Sequence, residues 1–173
     1  MTRDQPSLDE FVAARGDALV RFAYVLTGGD LHQAEDLVQS ALAKVLGRWS
    51  RICAGGQPEA YLRRAVVTGY LSYRRRRSST EVVTSSLPER AADDGFATAD
   101  AQDAAWRLIA GLPKRQRAVL ALRYLEDWPD EQIAAACQCS TGTVRSQASR
   151  ALATLRAQRG PAWTIAAGSE DHA

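Results

Sequence analysis

The chain has 173 residues, 46% of them hydrophobic and 24% charged, which suits one ordinary folded domain or two small ones and excludes a disordered or fibrous protein. Three cysteines in no regular framework argue against a disulfide-stapled secreted scaffold, two histidines leave no zinc ligand set, and no apolar run reaches the roughly 18–20 residues that span a bilayer. The net charge of +2 conceals a strong segmentation: residues 40–77 carry nine bases against Glu59 alone and residues 103–160 carry nine bases against five acids, while residues 78–102 between them carry one base and five acids.

In chain order, the first predicted helix starts at Ser7, where Ser7 and Glu10 form a capping box, and runs through Leu8, Phe11, Val12, Leu19, Phe22, Val25 and Leu26 at helical spacing. Thr27-Gly28-Gly29 ends it. Asp30 caps a second helix with an apolar stripe from Leu31 through Leu37, Val38, Ala41 and Val45 to Trp49, and with Asp36, Gln39, Ser40, Lys44 and Arg48 on the other side. Ala54-Gly55-Gly56-Gln57-Pro58 breaks the chain, and Pro58 suits the first turn of a third helix. That helix runs through Tyr61, Leu62, Ala65, Val66, Tyr70 and Leu71 into four consecutive arginines, Arg74 to Arg77.

Residues 78–100 are rich in Ser, Thr, Asp and Ala with no lasting periodicity, the composition of a flexible acidic linker. A second helical unit is expected over 101–160: a short helix with Trp106, Leu108 and Ile109, a helix opened by Pro113 with Val119, Leu120, Leu122 and Leu125 facing inward, a short helix from Pro129, and a last helix capped by Ser140. Residues 161–173 form a tail. The fold class is therefore all-α, with two small helical domains, 7–77 and 101–160, on either side of the linker.

The last two helices, joined by Cys137-Gln138-Cys139, have the layout of a helix-turn-helix. A helix that enters the major groove keeps one face apolar for anchorage and offers hydrogen-bond donors on the other. Val144, Ala148, Ala151, Leu152 and Leu155 supply the first face; Arg145, Ser146, Gln147, Ser149 and Arg150 supply the second, and no acid occurs from Val144 to Arg156. Arg123 and Lys114, on the preceding helix, are placed to contact phosphate. Cys137 is expected in the helix-turn-helix core, where a thiol is inert.

Three stretches in order resemble the extracytoplasmic-function (ECF) sigma factors of RNA polymerase, in particular the short actinobacterial SigE-like group: AEDLVQ from Ala34 to Gln39, AYLRRAVVTGYLSYRRRR from Ala60 to Arg77, and Leu112 to Arg156. The resemblance covers roughly residues 7–158. It implies that the first domain is a sigma region 2 bundle that binds core polymerase, through Glu35, Asp36, Gln39 and Ser40, and the promoter −10 element, through Arg63, Arg64, Thr68, Tyr70, Tyr73, Arg74, Arg75, Arg76 and Arg77. It implies that the second domain is a sigma region 4 helix-turn-helix that reads the −35 element with Arg123, Arg145, Ser146, Gln147, Ser149 and Arg150. Thr68 stands where many relatives carry asparagine, Gln138 where many carry glycine, and Pro129 replaces the usual serine cap.

Melting a promoter needs groups that hold unstacked bases, and the aromatic and arginine side chains of the third helix offer both stacking and phosphate contacts. The expected partners are core RNA polymerase, promoter DNA and an anti-sigma factor, with no membrane insertion, a monomeric free protein and a cytoplasmic location. No metal or other cofactor and no catalytic set is expected: there is no nucleophile–base pair, phosphate loop or ligand cluster. The alternative is a stand-alone helix-turn-helix regulator, which would carry a ligand pocket or dimer helix in place of the arginine-rich third helix.

Overall fold

The computed structural model describes residues 6–77 and 108–159, and the described residues are all helical apart from turns. Helix α1 spans Leu8–Thr27, α2 Leu31–Val45, a 3₁₀ turn Leu46–Arg48, α3 Trp49–Ala54 and α4 Pro58–Arg77. After a helical turn at 108–110, α5 spans Lys114–Tyr124, α6 Asp130–Cys137 and α7 Thr141–Arg159. The expected linker, 78–100, and tail, 161–173, lie outside the described residues.

Local chemistry sets the helix ends. Ser7 Oγ accepts from the Glu10 amide at 3.1 Å while the Ser7 amide donates to the Glu10 carboxylate at 2.8 Å, so two amides that lack helical partners are satisfied reciprocally. Asp30 accepts from the Gln33 amide and Ser140 from the Thr143 amide. Gly28 ends α1 with φ 77°, a conformation that favours glycine, and a Cβ there would stand 2.6 Å from Arg117 Nη1, so a larger residue would also have to displace that guanidinium. Pro129 opens α6 without a side-chain cap, as its sequence requires.

Helices α1, α2 and α4 pack on one another around Leu19, Phe22, Leu26, Leu37, Val38, Leu62, Val66 and Val67. Trp49 closes one end, edge-on to Phe11 with ring centroids 5.1 Å apart, and its Nε1 donates to Pro6 O at 2.8 Å. Helices α5, α6 and α7 pack around Val119, Leu122, Ile133, Val144, Ala148 and Leu155. Leu125, expected to face inward, is 38% exposed, because α5 ends at Tyr124 and the chain turns away before the apolar stripe completes another turn.

The two groups of helices also pack on each other, α1 and α4 against α5 and α6, so the buried apolar residues form a single cluster. Arg117 fastens this contact. Its Nη1 donates to the Leu26 carbonyl at the C-terminal end of α1 at 2.8 Å, and its Nη2 donates to the Leu112 carbonyl at 3.0 Å and to Ala110 O. A guanidinium there meets carbonyls that a helix end leaves unpaired, at the negative pole of the helix dipole.

Candidate nucleic-acid interface

Three surfaces carry the residues singled out in the sequence. On α2, Glu35, Asp36, Gln39 and Ser40 are all exposed, opposite the buried Ala34, Leu37, Val38 and Ala41. The 3.6-residue period sends the polar positions outward, and no other element of the described residues covers them.

On α7, Val144, Ala148, Ala151 and Leu155 are buried and Arg145, Ser149 and Arg150 are exposed; Ser146 and Gln147 lie at the margin. Ser146 Oγ donates to the Thr143 carbonyl at 2.9 Å. The turn before α7 holds Gln138 at φ 52° and ψ 53°, a left-handed conformation that costs a side-chain-bearing residue roughly 1–2 kcal/mol. The helix-turn-helix keeps the geometry that glycine would give it, with the strain carried by Gln138. Cys137 is buried in this core, and burial, with Cys139 nearby, pushes its thiol up to about 11 against a smaller opposing effect of Arg115.

Two of the α7-side bases share one carboxylate. Asp130 Oδ2 accepts from Arg145 Nε at 3.1 Å, and Oδ1 accepts from Arg123 Nη2. Desolvation opposes the charge on Asp130, but hydrogen bonds from Arg123 and then Arg145 outweigh it and hold the carboxyl below its ordinary range.

The third surface, on α3 and α4, is where the structure departs from expectation. Arg64 is exposed, and beside it a cleft of about 590 Å³ is lined by Arg48, Arg51, Tyr61 and Gln57 on one side and by Trp128, Glu131 and Gln132 of the second helix group on the other. Arg63, expected on the −10 strand, is only 11% exposed at its side chain and sits between Glu59, one turn back, and Glu126 of the second group. Tyr70, also expected there, is 1% exposed; it lies on the apolar face of α4, with Lys114 Nζ 4.7 Å from its ring centroid. In this arrangement neither side chain can reach DNA. Burial opposes the charge on Arg63, which the Glu59 and Glu126 carboxylates more than restore, so its pKa lies above the ordinary value. Burial also pushes the Glu126 carboxyl up, with Arg63 opposing.

Thr68 Oγ1 donates to the Arg64 carbonyl at 2.9 Å, so its hydroxyl is spent on its own helix. Tyr73 and Arg74 to Arg77 continue α4, but their side chains lie outside the described residues. Glu126 and Trp128 escaped sequence reasoning. The only signal was an acid pair and a tryptophan, Glu126-Asp127-Trp128, in the turn before a proline. Asp127, at φ 50°, bends the backbone so that Glu126 and Trp128 both face α4.

Residues 11–80 match the family Sigma-70 region 2 and residues 102–155 match Sigma-70, region 4. The RNA polymerase sigma-E factor of Streptomyces coelicolor is 41% identical over 150 residues, covering 86% of this chain and 83% of the relative. That of Streptomyces avermitilis is 38% identical over 148 residues, covering 86% and 82%. A co-crystal structure of the sigma factor RpoE with the anti-sigma factor NepR from Bartonella quintana is similar with a TM-score of 0.64 at 28% identity, over 85% of this chain and 92% of that one. This chain pairs both regions, which does not favour a stand-alone regulator. No helix of the described residues is long and apolar enough to cross a membrane. The chain belongs to the ECF sigma factors, DNA-binding subunits that join core RNA polymerase and direct it to promoters.

Proposed function

We propose the following division of labour. Residues 7–77 form the unit that holds core polymerase and the −10 element, residues 101–160 the unit that reads the −35 element, and residues 78–100 the linker between them. The open polar face of α2, with Glu35, Asp36, Gln39 and Ser40, meets core polymerase. The outward face of α7, with Arg145, Ser149 and Arg150, enters the major groove, while Ser146, Gln147 and Arg123 lie at its margin. The α3–α4 cleft, Arg63, Arg64, Thr68, Tyr70, Tyr73 and the arginines 74 to 77 take the melted −10 strand. The protein acts in the cytoplasm and supplies no reaction of its own.

The observation that carries this reading is the Glu126–Arg63 ion pair, which joins the two helix groups across the strand-binding face. Elements centred about 25 base pairs apart lie about 85 Å apart at roughly 3.4 Å per base pair. Helix groups in direct contact cannot read both. The 23 linker residues from 78 to 100 extend to roughly 80 Å at most, enough to bridge that span once the width of the two units themselves is added. The packed arrangement is therefore the unassembled form, and core polymerase and promoter separate the two units. Once core holds both, the second promoter contact becomes effectively intramolecular. A protein of the anti-sigma class that binds across both units would keep them together; the similar Bartonella quintana sigma factor, crystallised in complex with an anti-sigma factor, supports this class of partner.

The test is reconstitution with bacterial core polymerase and transcription from a pool of promoter fragments. The reading requires start-site selection that is lost in Asp36→Arg and in the Arg145→Ala/Arg150→Ala double variant. A chain that ignores core yet retards duplex DNA alone would defeat it.

A further inference from the structure

We infer that Asp130 is the positioning residue that sets base specificity at the −35 element, by holding Arg145 so that only the end of its guanidinium faces the groove. The inference rests on the −35 role proposed above for α7. A guanidinium offers two edges: a side edge of Nε and one Nη, and an end of both Nη groups. Asp130 Oδ2 takes Nε at 3.1 Å, which leaves the Nη pair for the bidentate contact that guanine O6 and N7 invite. Arg145 is otherwise a long side chain 69% exposed, with four rotatable bonds to fix before it can discriminate anything. Asp130 itself does not wander. It stands in the first turn of α6, its side chain is 19% exposed, and its second oxygen is held by Arg123 from α5, so the chain Arg123–Asp130–Arg145 ties the groove-facing arginine to the body of the unit.

The same carboxylate lies on a face meant for a polyanion, where it repels phosphate. A residue kept there for packing or charge balance and one kept to aim Arg145 predict different outcomes on removal. Neutralising an aiming carboxylate raises affinity for any duplex, through the lost repulsion, and lowers discrimination at one base pair.

The experiment uses the full chain assembled with actinobacterial core polymerase and a promoter pool randomised at the −35 element. It compares wild type with Asp130→Asn, Asp130→Glu, Arg145→Ala and the Asp130→Asn/Arg145→Ala double variant, and it measures duplex affinity for a scrambled sequence alongside. Expected are a guanine preference at one position that Arg145→Ala abolishes, a fall of about tenfold at that position alone in Asp130→Asn, and a double variant no different from Arg145→Ala in base preference. Affinity for the scrambled duplex rises in Asp130→Asn, and Asp130→Glu restores most of the guanine preference. A loss spread over all positions, or an unchanged guanine preference in Asp130→Asn, overturns the inference while leaving the −35 reading in place. If Arg145→Ala changes no base preference, the role of α7 at −35 falls, and the inference falls with it.

Discussion

Reversing the charge at position 126 asks whether the second helix group shuts the face of α4 proposed to bind the melted strand. In Glu126→Lys an ammonium replaces the carboxylate beside Arg63, in a contact where both native side chains are less than 15% exposed. Two like charges about 4 Å apart repel by roughly 4 kcal/mol at an effective dielectric of about 20. Glu59 stays on Arg63 and answers part of this, and a lysine can turn its head toward water, so about 2–3 kcal/mol against the packed form is expected. That is a roughly 30- to 150-fold shift toward the separated form. Glu126→Gln should do far less. Burial already pushes the Glu126 carboxyl up, so removing its charge recovers desolvation while Glu59 still satisfies Arg63.

The assays are hydrogen exchange along α4 and anisotropy with a fluorescent single-stranded oligonucleotide, with Asp17→Lys, an exposed change of equal charge, as the control. Glu126→Lys should speed exchange around Arg63 to Tyr70 and tighten oligonucleotide binding well beyond the control. A Glu126→Lys protein with intact helicity, wild-type exchange and no more oligonucleotide affinity than Asp17→Lys refutes the reasoning.

Gln138→Gly removes the left-handed strain in the helix-turn-helix and should stabilise by about 1 kcal/mol, raising the melting temperature by roughly 2–4 °C in calorimetry. Cys137 should resist alkylation at pH 8 while Cys53 and Cys139, both partly exposed, react first, as peptide mass spectrometry will read. Its raised pKa also has a sign: the folded state favours the neutral thiol, so this contribution is intact below about pH 9, the ordinary thiol value, and is lost as pH rises from there toward about 11. Tyr70→Phe deletes a buried hydroxyl that has no hydrogen-bond partner among the described residues and should leave thermal stability unchanged or slightly higher, by up to about 1 kcal/mol. Gly28→Ala should destabilise by about 1–2 kcal/mol in denaturant melts from the positive φ alone, and by more once Arg117 is displaced from Leu26 O.

The helix ends were legible because their causes are local. Ser7 with Glu10, Asp30, Gly28 and Ser140 each act within four residues, and each does in the structure what its spacing announces. The outward faces of α2 and α7 were legible for the same reason, since a 3.6-residue period assigns them without reference to the rest of the chain. What the sequence hid is set at a distance. Arg63 reads as a free base because its second partner, Glu126, lies 63 positions along the chain. Tyr70 reads equally well as a stacking platform or as core, and the packing of the helices around α4 makes it core. Arg117 looks like any surface base on an amphipathic helix; its role depends on where α1 ends.

The ion pair across α4 has a further consequence for a subunit that spends time away from polymerase. A cell is crowded with RNA, and an open groove of arginines and aromatic rings would be occupied by it without regard to sequence. On the reading proposed above, the packed form withholds Arg63 and Tyr70 from single strands, while the exposed faces of α7 and α2 remain on view. On that reading, capture of the lone subunit by transcripts would be weakened, and the whole strand-binding groove would become available chiefly where a promoter is about to open.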